Sequence, residues 1–149
     1  MSGTIRAYTF RVTLLGSRNP AITRTFTLPV SSTFQRLHHA IQYTFDWNNS
    51  HLHEFTFEPT RTEKANGMIS FNPRNVLVTI GMGKHADDYF EGNQVLYFEE
   101  SKLKLSDIWE GNGKARKNVL ENGQVVSLYY LYDMGVSAAN RQVWDVLIN

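Results

Sequence analysis

The sequence predicts an α+β fold: one compact domain over residues 1–149, with an antiparallel or mixed sheet of about six strands packed with two helices. Three observations point there. The first thirty residues alternate apolar and polar side chains with the period of a half-buried strand. One segment, 31–45, repeats its apolar residues at helical spacing. The aromatic share is 13%, with nine Phe and seven Tyr, and such side chains pack well on pleated surfaces. A chain of 149 residues, 42% of them hydrophobic, can bury a sizeable core.

The elements follow in order. In "TIRAYTFRVTLLG", Tyr8, Phe10, Val12 and Leu14 share one face, with Thr9, Arg11 and Thr13 opposite. "SRNP" is a turn, and "AITRTFTLPV" alternates again with Ile22, Phe26 and Leu28 inward. "SSTFQRLHHAIQYTF" reads as a helix capped by Ser31 or Ser32, with Phe34, Leu37, Ile41 and Phe45 on its apolar stripe. "DWNNS" ends it, and "HLHEFTFEP" is a strand stopped by Pro59. Residues 60–93 read as a loop, a strand at "NVLVTIGMG" and a second loop at "GKHADDYFEGN". "QVLYFEE" is a short strand, a short helix starts near Ser106, and "ENG" is a turn. "VVSLYYLYD" is apolar on both parities, as a strand covered on both faces should be. "RQVWDVLIN" closes the sheet.

Composition narrows the setting. No apolar run approaches the length of a membrane-spanning helix, and "MSGTIRAYTF" lacks a signal peptide's apolar core. The absence of cysteine excludes disulfides and thiolate metal sites and is compatible with the cytoplasm, the expected compartment. Net charge is +1, but residues 1–45 hold five Arg and no acid, while 46–100 hold nine acids against four bases. The arginines are expected to pair with the acidic middle. No basic cluster has the density of a nucleic-acid interface, so such a surface, built from Arg6, Arg11, Arg18 and the bases of 114–117, is the less favoured alternative.

The stretch "DWNNSHLHEFTFE", residues 46–58, is the richest in chemistry. His51 and His53 stand two apart on a strand and form a possible chelating pair. A third ligand from Asp133, Asp46 or Glu54 would make a catalytic divalent-metal site. Phe55 and Phe57 share the histidines' parity, however, so the histidines sit at the rim of the core, with Glu54 on the other face. A structural role, with each imidazole bonded to a nearby acceptor, is the preferred reading. His38 lies on the apolar stripe as a satisfied core histidine. His39 and His85 are expected at the surface. No P-loop, dinucleotide glycine pattern, nucleophile elbow or cysteine nucleophile is present. No cofactor is expected beyond the metal alternative.

In order and spacing, Leu37-His38, Ile41-Gln42, Trp47 and His51-Leu52-His53-Glu54-Phe55, followed much later by Tyr132-Asp133-Met134-Gly135 and a last Trp strand, form a specific combination. It resembles the plasmid pRiA4b ORF-3-like family, densely over residues 8–57 and loosely over 125–148. The resemblance implies a compact α+β domain and carries no established molecular function; the transposon-resolvase label some members bear has no chemical basis in these residues. The chain departs from the pattern at Val136, where the family has a second Asp, and at Val146, where it has a His. The family's Pro/Gly-rich C-terminal tail is not in this sequence.

Arg24 lies on the inward parity between Ile22 and Phe26. A guanidinium cannot lose its charge, so its burial would require a partner. Asp133 is the first candidate for that ion pair and Glu54 the second, an arrangement whose Arg and Asp the family pattern also keeps. Trp47, Tyr130, Tyr132 and Trp144 are the residues expected around any pocket near Asp133. The preferred function is a non-enzymatic interaction or accessory domain with a protein or small-molecule partner. The alternatives are a metal-dependent hydrolase or lyase using His51, His53 and Asp133, and a nucleic-acid-binding domain linked to mobile elements.

Overall fold

In the computed structural model the described residues are 6–17, 19–49, 52–65, 69–82, 96–132 and 145–148, the last of these as backbone. The alternating N-terminal segments form an antiparallel hairpin of β1 (Ala7–Leu14) and β2 (Thr23–Pro29), in a register that sets Phe10 against Phe26 and Val12 against Arg24. Helix α1 (Phe34–Thr44) follows. Its N-cap is Thr33, whose hydroxyl accepts from the Arg36 amide, in place of the expected Ser31 or Ser32. Strand β3 (His53–Glu58) stops before Pro59 as expected, and the middle run gives β4 (Val78–Gly81). Then come β5 (Leu96–Glu99), the single-turn helix α2 (Ser106–Trp109), the small hairpin β6 (Leu120–Glu121) and β7 (Gln124–Val125), β8 (Ser127–Tyr132) and β9 (Asp145–Ile148). In the "ENG" turn, Asn122 and Gly123 both have positive φ, which the type of two-residue turn between β6 and β7 requires.

Seven of these strands form one sheet in the order β2-β1-β9-β8-β3-β4-β5, one more strand than the pattern suggested. It is mixed, because β4 and β5 run parallel while every other pair is antiparallel. The last strand, β9, sits between β1 and β8 and so joins the N-terminal hairpin to the centre of the sheet.

Both helices cover one face of the sheet. Phe34, Leu37 and Ile41 of α1 are fully buried against Phe55, Phe57 and Tyr130, and α2 adds Ile108. Each such side chain stabilises by about 1.5–3 kcal/mol relative to its exposed form. The rings pack edge-on around Phe34, which meets Phe55 at 5.4 Å and Phe57 at 6.1 Å. The other face carries Glu54, Thr56, Glu58, Thr79 and Tyr129, and these too are buried. Both central strands, β3 and β8, are therefore covered on two sides. For β8 the sequence said so; for β3 the histidine and glutamate content hid it. Among the described residues, no helix is long and apolar enough to cross a membrane.

Arg24 corrects the sequence reading. Its parity is inward, as its pairing with Val12 requires, yet the residue is exposed. Its Nη1 donates to the carbonyl of Thr23, and the guanidinium lies 5.6 Å from the Phe45 ring centre. Strand β2 is at the sheet edge, where α1 covers the inward face incompletely. Ile22 is also exposed, at 39%. A long arginine stem there lies on apolar surface and delivers its head group to water.

Candidate functional site

The motif residues converge where the start of β3, the end of β8 and α1 meet. Leu52 is exposed, and one residue later His53 turns inward and is buried at 6% exposure. Its ring stacks face to face on His38 of α1, with centroids 3.5 Å apart and planes 6° from parallel. Tyr130 of β8 lies beside both rings.

His38 belongs to a closed circuit of hydrogen bonds whose direction a single backbone group sets. The amide N–H of Asn49 can only donate, and it donates to Gln42 Oε1 at 2.9 Å. That orients the Gln42 amide so that its Nε2 donates to the Tyr130 hydroxyl oxygen at 2.8 Å. The Tyr130 proton then goes to His38 Nδ1 at 2.6 Å. His38 Nε2 in turn donates to Asn49 Oδ1 at 2.8 Å, because an amide oxygen can only accept. Asn49 closes the circuit from a left-handed backbone conformation, φ 55°, which asparagine tolerates. The arrangement needs a neutral imidazole. Burial pushes the His38 pKa down to about 4, helped by neighbouring His53 and opposed by Asn49 and Glu100. Burial also raises the Tyr130 hydroxyl well above its ordinary value, so it remains a donor.

His53 is held differently. Its Nε2 lies 2.9 and 2.8 Å from the two carboxylate oxygens of Glu100, which follows β5 and is itself buried. Its Nδ1 is buried with no hydrogen-bond partner among the described residues. Sequence reasoning missed Glu100, which sits forty-seven positions away, because only the parallel β4–β5 pairing brings it alongside β3. The outer wall of the cluster is aromatic. Trp47 stacks between Phe45 at 4.8 Å and Tyr132 at 5.1 Å, and the Tyr132 hydroxyl donates to Asn48 Oδ1.

Glu54 points to the opposite face, as parity requires, across from Gly81. A Cβ at Gly81 would come within 3.2 Å of the Tyr97 hydroxyl, so glycine is what lets that ring lie over β4. Burial, with Glu100, Glu99 and Glu54 nearby, pushes the Tyr97 hydroxyl up to about 12. On this same face lies a buried ion pair that the sequence reading did not single out. Arg61 donates from Nε to Glu58 at 2.8 Å, with both side chains 5% exposed or less. Its guanidinium lies 4.0 Å from the Tyr129 ring centre and 4.7 Å from that of Phe71.

Of the residues expected at a site, His53, Trp47, Tyr130 and Tyr132 are brought together, with Tyr130 fully buried and not lining an open pocket. Glu54 is separated from them by the sheet. His51, His85, Asp133, Val136, Trp144, Arg18 and the side chain of Val146 lie outside the described residues. Among the described residues no group of three or more His, Asp and Glu side chains could hold a metal. His39 is exposed as expected. The bases are dispersed. Arg6 pairs with Glu110 at 2.6 Å, a partner outside the acidic middle, and Arg116 donates to the carbonyls of Ile108 and Trp109.

The sequence pattern of the family described as plasmid pRiA4b ORF-3-like protein matches residues 6–137, and so takes in α1, the His53 strand and β8 together. The chain belongs to the plasmid pRiA4b ORF-3-like family. Its fold is similar to the crystal structure of a protein of unknown function from Methanosarcina mazei Go1, at 25% identity and a TM-score of 0.55. That similarity takes in 96% of this chain and 58% of the archaeal one, so the chain spans little more than half of that protein's length. No curated protein matches the chain. The family carries no established activity.

Proposed function

We propose that this family member is a non-enzymatic interaction domain, in which the motif residues form an internal brace. One observation carries the reading: the His38–Tyr130–Gln42–Asn49 circuit is satisfied at every donor and acceptor named above. An imidazole with both nitrogens engaged and its basicity lowered by burial has neither a lone pair for a metal nor the pKa of a general base near neutrality. The circuit ties α1 to β8 and to the turn after the helix, and so fixes the outer face of α1. That face carries an open groove of about 860 Å³ lined by Leu28, Arg36, His39 and Tyr43 among others, with Tyr43 90% exposed.

A metal-dependent hydrolase or lyase is the second reading, favoured by His53 Nδ1. A carboxylate already orients this ring through Nε2, as second-shell acids orient metal-bound histidines, and the other nitrogen lacks a partner. His51 and Asp133 would be the further ligands. Elemental analysis of the purified chain separates the two. The interaction reading expects only substoichiometric divalent metal, unchanged in a His51→Ala/His53→Ala variant. Stoichiometric zinc or manganese that this variant loses would overturn it. A nucleic-acid role would instead show as heparin retention falling steeply with salt.

A further inference from the structure

An asparagine followed by glycine can modify itself, because no side chain hinders the glycine nitrogen as it attacks the asparagine carboxamide. The chain has three such pairs, Asn66–Gly67, Asn112–Gly113 and Asn122–Gly123. The first lies outside the described residues. Asn112 and Asn122 are both exposed, so access to water does not separate them. Their glycines do.

Gly113 is held in place. Its amide donates to the Glu110 carbonyl at 3.0 Å, and its carbonyl accepts from the Arg116 amide at 3.2 Å. A Cβ on Gly113 would run into the carbonyl of Asp107, so the main chain there has no room to swing. Gly123 is the opposite case. It is the second residue of the two-residue turn between β6 and β7, whose ladder bonds are made by the flanking pair, Glu121 and Gln124. Its own amide has no partner among the described residues, and nothing lies within 4 Å of where its Cβ would stand. The hairpin that holds the turn is only two residues long on each strand.

We infer that Asn122 is a site of spontaneous modification by water, and that the fold selects it over Asn112. The Gly123 nitrogen attacks the Asn122 side-chain carbonyl carbon. A carbon–nitrogen bond forms to Gly123, the bond to the carboxamide nitrogen breaks, and ammonia leaves with the Gly123 proton. Water then opens the cyclic imide at either carbonyl, giving aspartate or isoaspartate, with no oxidant or reductant needed. Isoaspartate routes the main chain through the side-chain carbon, one atom longer, and either product sets a carboxylate next to Glu121. A two-residue turn depends on its exact backbone twist, and the extra atom removes it. The pairs Leu120–Val125 and Glu121–Gln124 then part. Val125 and Val126 pack at the margin of the core, so that margin loosens as the chain ages.

The full chain, kept folded at neutral pH over weeks, is sampled by peptide mapping in a mass spectrometer. Isoaspartate is counted by labelled methyl transfer from S-adenosylmethionine with a protein-isoaspartate methyltransferase. Asn122 should convert about tenfold or more faster than Asn112, whose glycine must first open its bond to Glu110. In urea the two should convert at similar rates, since both precede glycine and the fold no longer distinguishes them. Asn122→Gly keeps a residue suited to this turn and should abolish conversion there while leaving that at Asn112 unchanged. In the converted chain the Gln124 amide should exchange faster with solvent, with the Gly113 amide unaffected. Equal rates at the two positions in the folded chain, or a faster Asn112, would overturn the inference. A preference for Asn122 that persists in urea would also overturn it, since the selection would then come from neighbouring sequence and not from the fold.

Discussion

Two arginines show what alternation can and cannot say about a single side chain. Parity placed Arg24 on the inward face of β2, and its pairing with Val12 agrees. Parity carries no information on how far the helix layer extends, and at this edge it does not reach. The residue that needs a buried partner is Arg61, which no periodic pattern marks because it follows β3 in a loop. Its partner Glu58 is 1% exposed, on the strand face opposite the histidine and phenylalanines. Arg61→Ala should cost about 3–5 kcal/mol, since it strands a buried carboxylate. Arg61→Ala combined with Glu58→Ala should cost less than the sum of the single changes. Arg24→Ala should stay within about 1 kcal/mol, as an exposed cation beside a ring is worth little more. Urea unfolding of the four variants checks this, and equal losses at positions 24 and 61 would contradict the assignment.

At the scale of elements, α1 was legible from its stripe, and so was the core placement of His38. What the stripe could not reveal was its polar wiring, because the partners come from the turn after the helix and from a strand ninety-two positions away. Tyr130 sits in a run apolar on both parities and was expected at the wall of a pocket, and nothing local marks what its hydroxyl bonds. Instead it accepts a hydrogen bond from the Gln42 amide and donates one to His38 Nδ1, which makes it the link between α1 and β8. Tyr130→Phe should therefore destabilise by about 1–3 kcal/mol, the cost of leaving buried polar groups on Gln42 and His38 unsatisfied. Its secondary structure by circular dichroism should be unchanged. The helix start offers a smaller test. Thr33→Ala removes the hydroxyl that accepts from Arg36 and should cost about 1 kcal/mol, whereas Ser31→Ala should cost much less.

Over the whole molecule, α+β composition and strand count came close from sequence because period-two and period-3.6 patterns are local. Strand order did not, since it depends on long-range pairing. The parallel β4–β5 pair is the clearest case, and it is what delivers Glu100 to His53. That delivery has a consequence for global stability against pH. His38 is packed by His53 across its ring, by the Tyr130 hydroxyl at Nδ1 (which Gln42 holds in turn), by Asn49 at Nε2 and by His39 at its edge, with Glu100 behind His53. Its folded pKa is about 4 against an ordinary 6.5, so between those values the unfolded chain binds more protons than the folded one. Stability therefore rises with pH across this window. The contribution of His38 is fully present above about pH 6.5 and is lost as pH falls towards 4, on the order of 3 kcal/mol in all. Protonation at Nδ1 would also turn an acceptor into a second donor facing the Tyr130 hydroxyl, and so reverse the circuit at its shortest bond. Urea midpoints measured from pH 7.5 down to 4 should fall for the wild-type chain and fall less for His38→Gln, which has no proton to gain there. Parallel curves for the two chains would show that His38 is not the group whose titration the fold resists.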